Sequence, residues 1–274
     1  GRRSGGGSGG TWRLCNGEVV PVAPSIETVI ELTHRVASGC AWIFALAVAV
    51  WSRRVFPNAH RARLGATLGL VFMSTEALVG AGLVIFKMVA DNPETGRGYW
   101  SATHLLNTFV LLWALTAHVW WASGRTTLWP RGRSGAAIKL VLVLLLLLSV
   151  TGAIAALGNT LFPVDTIAEG IAQDLDPSSH LFLRLRVFHP ILAVGAGAVT
   201  MVFATFVASR HRLRLGHAVA GLVVLQLGLG LLNLTLHAPT WLQLVHLLLA
   251  DVLWIGVVWL GGQVAEAEAD APPL

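Results

Sequence analysis

Residues 136–158 read AAIKLVLVLLLLLSVTGAIAALG, with Lys139 as the single charged side chain. A run of that length and polarity spans a bilayer core, which needs about 20 apolar residues. It shows none of the two-residue alternation of a barrel strand, and it is longer than the ~10 residues such a strand uses. Six further segments of the same kind flank it. They run over Ile26–Trp51, Leu64–Ala90, Trp100–Ala122, Leu185–Ala208, Leu215–Leu236 and Thr240–Gly262. The predicted fold class is therefore all-α: a polytopic membrane protein with seven visible spans.

Composition agrees with that reading. Hydrophobic residues make up 55% of the 274, charged residues only 12%, and the mean hydropathy is +0.69. Soluble globular domains carry about 25% charged residues, and disordered chains are poor in apolar ones, so both classes are excluded. Two cysteines build neither a disulfide scaffold nor a four-thiolate metal site. The net charge of +5 comes from arginine, with Lys87 and Lys139 the sole lysines. In a membrane protein such an excess bears on orientation, and nucleic acid is not an expected partner.

The loops sort the charges. Arg53, Arg54, Arg61 and Arg63 lie in one; Arg125, Arg131, Arg133 and Lys139 in a second; Arg210, Arg212 and Arg214 in a third, and none of the three holds an acid. The alternate loops hold Asp91 and Glu94, then Asp165, Glu169, Asp174 and Asp176. The positive-inside rule places the Arg-rich loops in the cytoplasm and the acidic loops outside. The acidic tail from Gln263 to Leu274 falls on the cytoplasmic side as a mobile end. The Gly/Ser-rich opening reads as a native outer loop.

Self-similarity comes next. E31-L-T-H34-R35 is matched by R186-V-F-H189-P190, E76-A-L-V-G-A-G-L by Q226-L-G-L-G-L-L, and W100-S-A-T-H104-L-L by W241-L-Q-L-V-H246-L-L. Order is kept throughout, so the chain reads as two pseudo-symmetric four-helix bundles. Residues 1–125 form the N-terminal half-bundle and 126–274 the C-terminal one. The partner of the Ala136 span falls upstream of Gly1, which predicts eight helices in the full chain with the first preceding this sequence. Four helices per unit give both units one orientation, as in parallel repeats.

His34, His104, His189 and His246 are then level with one another. Each lies within about ten residues of the outer end of its span, in the outer half of the bilayer at 1.5 Å per residue. Imidazole at that depth is costly without a partner and marks function by default. Two histidines on facing helices form a natural axial clamp for haem iron. Four separate histidines bonded to backbone are the bland alternative. Zinc is a weaker one, because no Cys or carboxylate cluster completes a tetrahedral set. The halves also differ: Glu31 stands one turn before His34, on the same face, whereas Arg186 occupies the matching place. A carboxylate beside a bound macrocycle can move protons; a guanidinium can bind a propionate. A salt bridge to Arg35 is the structural alternative for Glu31.

These strings resemble haem A synthases. WRLCNGEVVP at Trp12–Pro21, IELTHR at Ile30–Arg35, HLL at His104 and LHAPTWLQLVHLLLADVLW at Leu236–Trp254 carry the likeness, which covers essentially the whole chain. The resemblance implies a haem-dependent membrane oxidoreductase that converts haem O to haem A. One ring methyl is hydroxylated successively, and the geminal diol loses water to leave a formyl group. It further implies His189 and His246 as iron ligands of a cofactor haem b, His34 and His104 as the substrate haem site, and Glu31 as the catalytic carboxylate. Haem O synthase, terminal oxidase assembly factors and membrane lipid are the partners it suggests, in a bacterial plasma membrane; a homo-oligomer stays open. Cys15 matches one of two outer-loop cysteines of many members, while the other falls on Ser8, so a disulfide there is in doubt.

Other residues carry less. His118 shares a face with His104 but lies beside Trp120 and Trp121, where an aromatic belt is expected. His60, His211 and His217 sit in Arg-rich loops against headgroups; His180 and His237 are on the outer side. Glu76 stands where a neutral amide like Gln226 is expected, and either pairs with an arginine or is protonated. Asp251 either pairs across helices or accepts a His N–H. The Leu-rich 136–158 span reads as lipid-facing, without a site. Two other functions share the features: a bis-His b-type membrane cytochrome that only transfers electrons, and a transporter built on the repeat.

Overall fold

The computed structural model describes residues 26–89 and 92–270, with side chains from residue 29 onward. Cys15, Ser8 and Asp91 lie outside the described residues. In chain order the helices are α1 (Ile26–Val55), α2 (Arg61–Ile85), α3 (Thr95–Ala122), α4 (Gly132–Leu161), α5 (Ile167–Leu175), α6 (Leu181–Arg186), α7 (Phe188–His211), α8 (Arg214–Thr235) and α9 (Thr240–Ala269). No strand occurs among the described residues. Seven helical stretches are long and apolar enough to cross a membrane, with α6 and α7 forming one broken span over Leu181–His211. The chain is an all-α polytopic membrane protein.

Several helices outrun the apolar runs that announce them. α4 and α9 each have 30 residues, about 45 Å at 1.5 Å per residue, which matches a bilayer including its headgroups. Hydropathy marks only the hydrocarbon part of such a helix. The acidic tail is accordingly not mobile as far as Ala269: it is the last turns of α9. Glu266 lies 3.6 Å from Arg125, and Glu268 accepts a hydrogen bond from Ser134 at 2.5 Å.

Caps account for the boundaries. His60 accepts from the Ala62 N–H at 3.2 Å and starts α2, its ring stacked on Phe56. His180 does the same for α6 through the Phe182 N–H. At the end of α2, Lys87 N–H donates to Val84 C=O and Met88 N–H to Leu83 C=O. These are the paired bonds that close a helix C-terminus. α8 ends with the same pair 150 residues later, His237 to Leu234 and Ala238 to Asn233. Lys87 and His237 both take φ of 56°. The break between α6 and α7 precedes Pro190, which has no N–H to offer the Arg186 carbonyl.

Small residues let the helices close. A Cβ on Gly65 of α2 would stand 2.7 Å from His118 Cα on α3, an approach that only glycine permits. His118 itself is absorbed in that seam, its Nδ1 2.9 Å from Ala62 C=O. At the Arg-rich end Trp120 is fully buried, against Gly262 and edge-on to Trp259, with the Arg125 guanidinium 4.4 Å from its ring centroid. One apolar core joins α3, α4, α7, α8 and α9 through Phe109, Ile138, Val141, Phe203, Val219 and Trp254. α1 lies to one side and packs on α2, with Trp42 Nε1 donating to Ser74 Oγ at 3.0 Å.

Candidate functional site

Each of the four histidines lies in the first turns of a span that starts at the acidic-loop end. Counted from Ile26, Thr95, Leu181 and Thr240, they sit about 9–14 Å along their helices. By that count their positions along the spans agree to within roughly one helical turn.

His189 and His246 are brought together. Their ring centroids are 6.5 Å apart with the planes at 85°. Two imidazoles on opposite faces of one metal, each about 2.0 Å from it, put their centroids about 6.3 Å apart. The gap therefore suits an iron between them. Backbone geometry makes room for it. A Cβ on Gly152 of α4 would stand 3.0 Å from His189 Cε1, and one on Gly230 of α8 would stand 3.5 Å from His246 Cε1. Thr151 Oγ1 lies 3.3 Å from His189 Nδ1. His246 Nδ1 is buried and makes no hydrogen bond among the described residues. Gln226 donates to the His246 carbonyl at 2.9 Å. An imidazole pair with a free buried nitrogen and no carboxylate beside it fits haem iron.

α4 thus contributes Thr151 and Gly152 to the site, against its reading as a purely lipid-facing helix. The glycines were missed because a missing Cβ leaves no hydropathy signal. Gly80 and Gly230 are nevertheless present in the two repeat strings at matching places, each facing a histidine ring: Gly80 would bring a Cβ to 3.7 Å from His104 Cε1.

His34 and His104 are not in ring contact. His34 is exposed on α1 and makes no hydrogen bond or ion pair among the described residues. His104 on α3 turns Nδ1 to Glu76 on α2, 3.2 Å away. Glu76 also accepts from Asn107 Nδ2 and from Thr108 Oγ1, each at 2.5 Å. It pairs with an imidazole and two neutral donors rather than with an arginine. Glu31 forms an ion pair with Arg35, the structural alternative that its spacing offered. Its side chain is 19% exposed and its carboxylate oxygens are buried. Asp251 keeps Oδ1 buried with no hydrogen bond among the described residues.

Arg186 takes a different place from the one expected. Its Nε donates to Asp174 Oδ1 and its Nη1 to Asn159 Oδ1, both at 2.8 Å, and its Nη2 donates to Gly170 C=O at 3.3 Å. The guanidinium is spent on tying the short helix α5 to α4 and α6, and the residue is only 9% exposed. Thr166 caps α5 by accepting from Glu169 N–H at 3.1 Å. Breaking a buried pair from one side costs about 3–5 kcal/mol. Arg186→Met is therefore expected to lower the apparent melting temperature in detergent by roughly 10 °C, with new protease cutting between residues 162 and 180. An unchanged melting curve would show that the pair contributes nothing.

Comparison with known proteins follows this geometry. The family model described as cytochrome oxidase assembly protein matches residues 22–258. The chain is 45% identical over 273 residues to a protein of Thermus thermophilus named "Protoheme IX farnesyltransferase", covering 97% of this chain and 45% of that protein. It is 41% identical over 83 residues to the "Heme A synthase" of Halalkalibacterium halodurans, covering 30% of this chain and 28% of the relative. Against the "Heme A synthase" of Exiguobacterium sibiricum it is 37% identical over 84 residues, 31% of this chain and 28% of the relative. The chain spans less than half the length of the Thermus relatives it matches. No solved structure matches it.

Proposed function

The chain belongs to the cytochrome oxidase assembly protein family, and from that premise we propose that it works as a haem A synthase in terminal oxidase assembly. The observation that carries the reading is the His189–His246 pair at 6.5 Å, backed by glycines and placed to hold one iron. In this proposal those two histidines ligate a cofactor haem b in the C-terminal half, residues 126–274. His34 and His104 line the substrate haem O site in the N-terminal half, residues 1–125. The bound haems supply the redox chemistry that turns a ring methyl into a formyl group. The chain supplies ligation, an apolar cleft that limits water, and a carboxylate at Glu31 that moves protons beside the substrate.

Matching features in the two halves support the repeat behind this assignment. The closing bonds of α2 and α8 stand 150 residues apart, as do Gly80 and Gly230, each against a histidine ring. The Arg-rich loops, read with the positive-inside rule, support an outer-face position for the histidines in this proposal.

Farnesyl transfer, the activity named for the Thermus relatives, is a second reading, favoured by 45% identity over 97% of this chain. Displacing a diphosphate calls for divalent cations held by grouped carboxylates. Among the described residues no three His, Cys, Asp or Glu side chains form such a group. We assign that activity to the portion of the relatives which this chain does not match.

Pigment extraction from the purified chain, resolved by HPLC, tests the proposal. Haem b together with haem O or haem A is the expected result. Haem b alone at two per chain would instead make the protein an electron-carrying cytochrome, and a colourless preparation would overturn every haem reading. Farnesylation of protohaem by the purified chain would favour the second reading.

A further inference from the structure

We propose that Glu76 is a positioning residue for His104: its carboxylate holds the Nδ1 side of the ring, leaves Nε2 to face iron, and makes this ligand more electron-rich than either ligand of the C-terminal pair. The proposal rests on the reading that His104 ligates a haem.

Three observations carry it. Glu76 Oε1 is 3.2 Å from His104 Nδ1, an ion-pair distance, with the ring N–H not aligned for a hydrogen bond. The carboxylate is itself held in place. Asn107 donates to it at 2.5 Å while also donating to Phe72 C=O at 2.9 Å and accepting from Thr75 at 2.7 Å, and Thr108 donates to the other oxygen. Gly80 follows Glu76 by one helical turn on the same face, so α2 presents no side chain against the rest of the ring, whose Nε2 would be 4.0 Å from a Cβ there. One nitrogen thus faces an anion and the other is left open.

The C-terminal half lacks this arrangement. Gln226 stands at the place matching Glu76, is neutral, donates to the backbone carbonyl of His246, and meets the ring only through its amide nitrogen, 3.4 Å from Nε2. His246 Nδ1 makes no hydrogen bond among the described residues. His189 has a threonine hydroxyl near Nδ1, not a carboxylate. An outer carboxylate fixes the tautomer of a ligating histidine and raises its basicity, and removing such a partner changes metal affinity or activity by about 10–100-fold. A more basic ligand favours ferric over ferrous iron. The duplicated bundle would then hold two haems of different potential, the lower one where the substrate is processed.

The test is a redox titration of the purified full chain in detergent, loaded with haem b and haem O, for wild type and Glu76→Gln. A glutamine keeps the size and an acceptor oxygen but removes the charge. The N-terminal couple is expected to move about tenfold toward ferrous iron, 59 mV for a one-electron couple. The C-terminal couple should stay in place and serve as the control for folding. Glu76→Asp, which keeps the charge, should move the couple less and in the same direction; it stands in if the glutamine variant does not fold. A purely structural role would lower the melting temperature and leave both potentials where they are. Two wild-type haems whose couples ignore both variants would overturn the assignment of Glu76. Failure of the wild-type chain to take a second haem would overturn the two-site reading, and this proposal with it.

Discussion

Replacing His189 with alanine is expected to abolish the low-spin haem signal of the C-terminal half. Low-spin iron needs two strong axial ligands, and the ring facing His189 across 6.5 Å is His246. Among the described residues, no third His, Cys, Asp or Glu groups with the pair as a substitute ligand. Beside the His189 ring lie Gly152 and the hydroxyl of Thr151, which binds haem iron poorly. His246→Ala should behave in the same way, because either ligand alone leaves the iron five-coordinate. Added imidazole should restore part of the low-spin band in His189→Ala, since the variant leaves a cavity shaped for the lost ring. An unchanged spectrum in both variants would break the ligand assignment. Loss of both haems would mean that the C-terminal site organises the whole bundle.

Much of this protein is legible in its sequence because lipid simplifies the code. Each span must satisfy its backbone internally, so the Ala136 run could hardly be anything but helix, and the arginine loops punctuate it. Ends were less legible. α9 continues to Ala269 because Glu266 and Glu268 find partners in Arg125 and Ser134, contacts between residues more than 130 positions apart. The short helix α5 escaped notice for a related reason: it is held by Arg186, whose ties to Asp174 and Gly170 cross a loop.

The candidate site divides along the same line. The depth of the four histidines follows from helix rise and can be read from spacing. Their partners depend on tertiary packing. Glu76 and Gln226 occupy equivalent places in the two strings, yet the carboxylate faces Nδ1 of its histidine, while the amide lies 3.4 Å from Nε2 of His246 and donates to that residue's backbone carbonyl. The pairing of His189 with His246 requires α7 and α9 to converge, whereas α1, carrying His34, packs on α2 and leaves that histidine exposed. Equal motifs in sequence do not enforce equal contacts in the bundle.

Glu31→Gln is expected to stop haem A formation while haem content survives. Glu31 lies one turn from His34 on α1 and is paired with Arg35. That ion pair sharpens the question, because a paired carboxylate can serve structure as well as proton transfer. Glutamine separates the two roles. It retains the shape and an acceptor oxygen for Arg35, so a structural loss should be partial. It cannot take up a proton near neutral pH, so a proton-transfer role should be lost by the 10²–10⁴-fold typical of general acid–base groups. The measurement is conversion of haem O to haem A by the purified variant, set beside its pigment content and melting temperature. Lost conversion with pigment intact assigns the carboxylate to the chemistry. Loss of pigment and melting temperature together would make Glu31 an anchor for α1 through Arg35. Turnover at the wild-type rate would remove it from the mechanism, and the proton route would then have to be sought at Glu76, the carboxylate that faces His104.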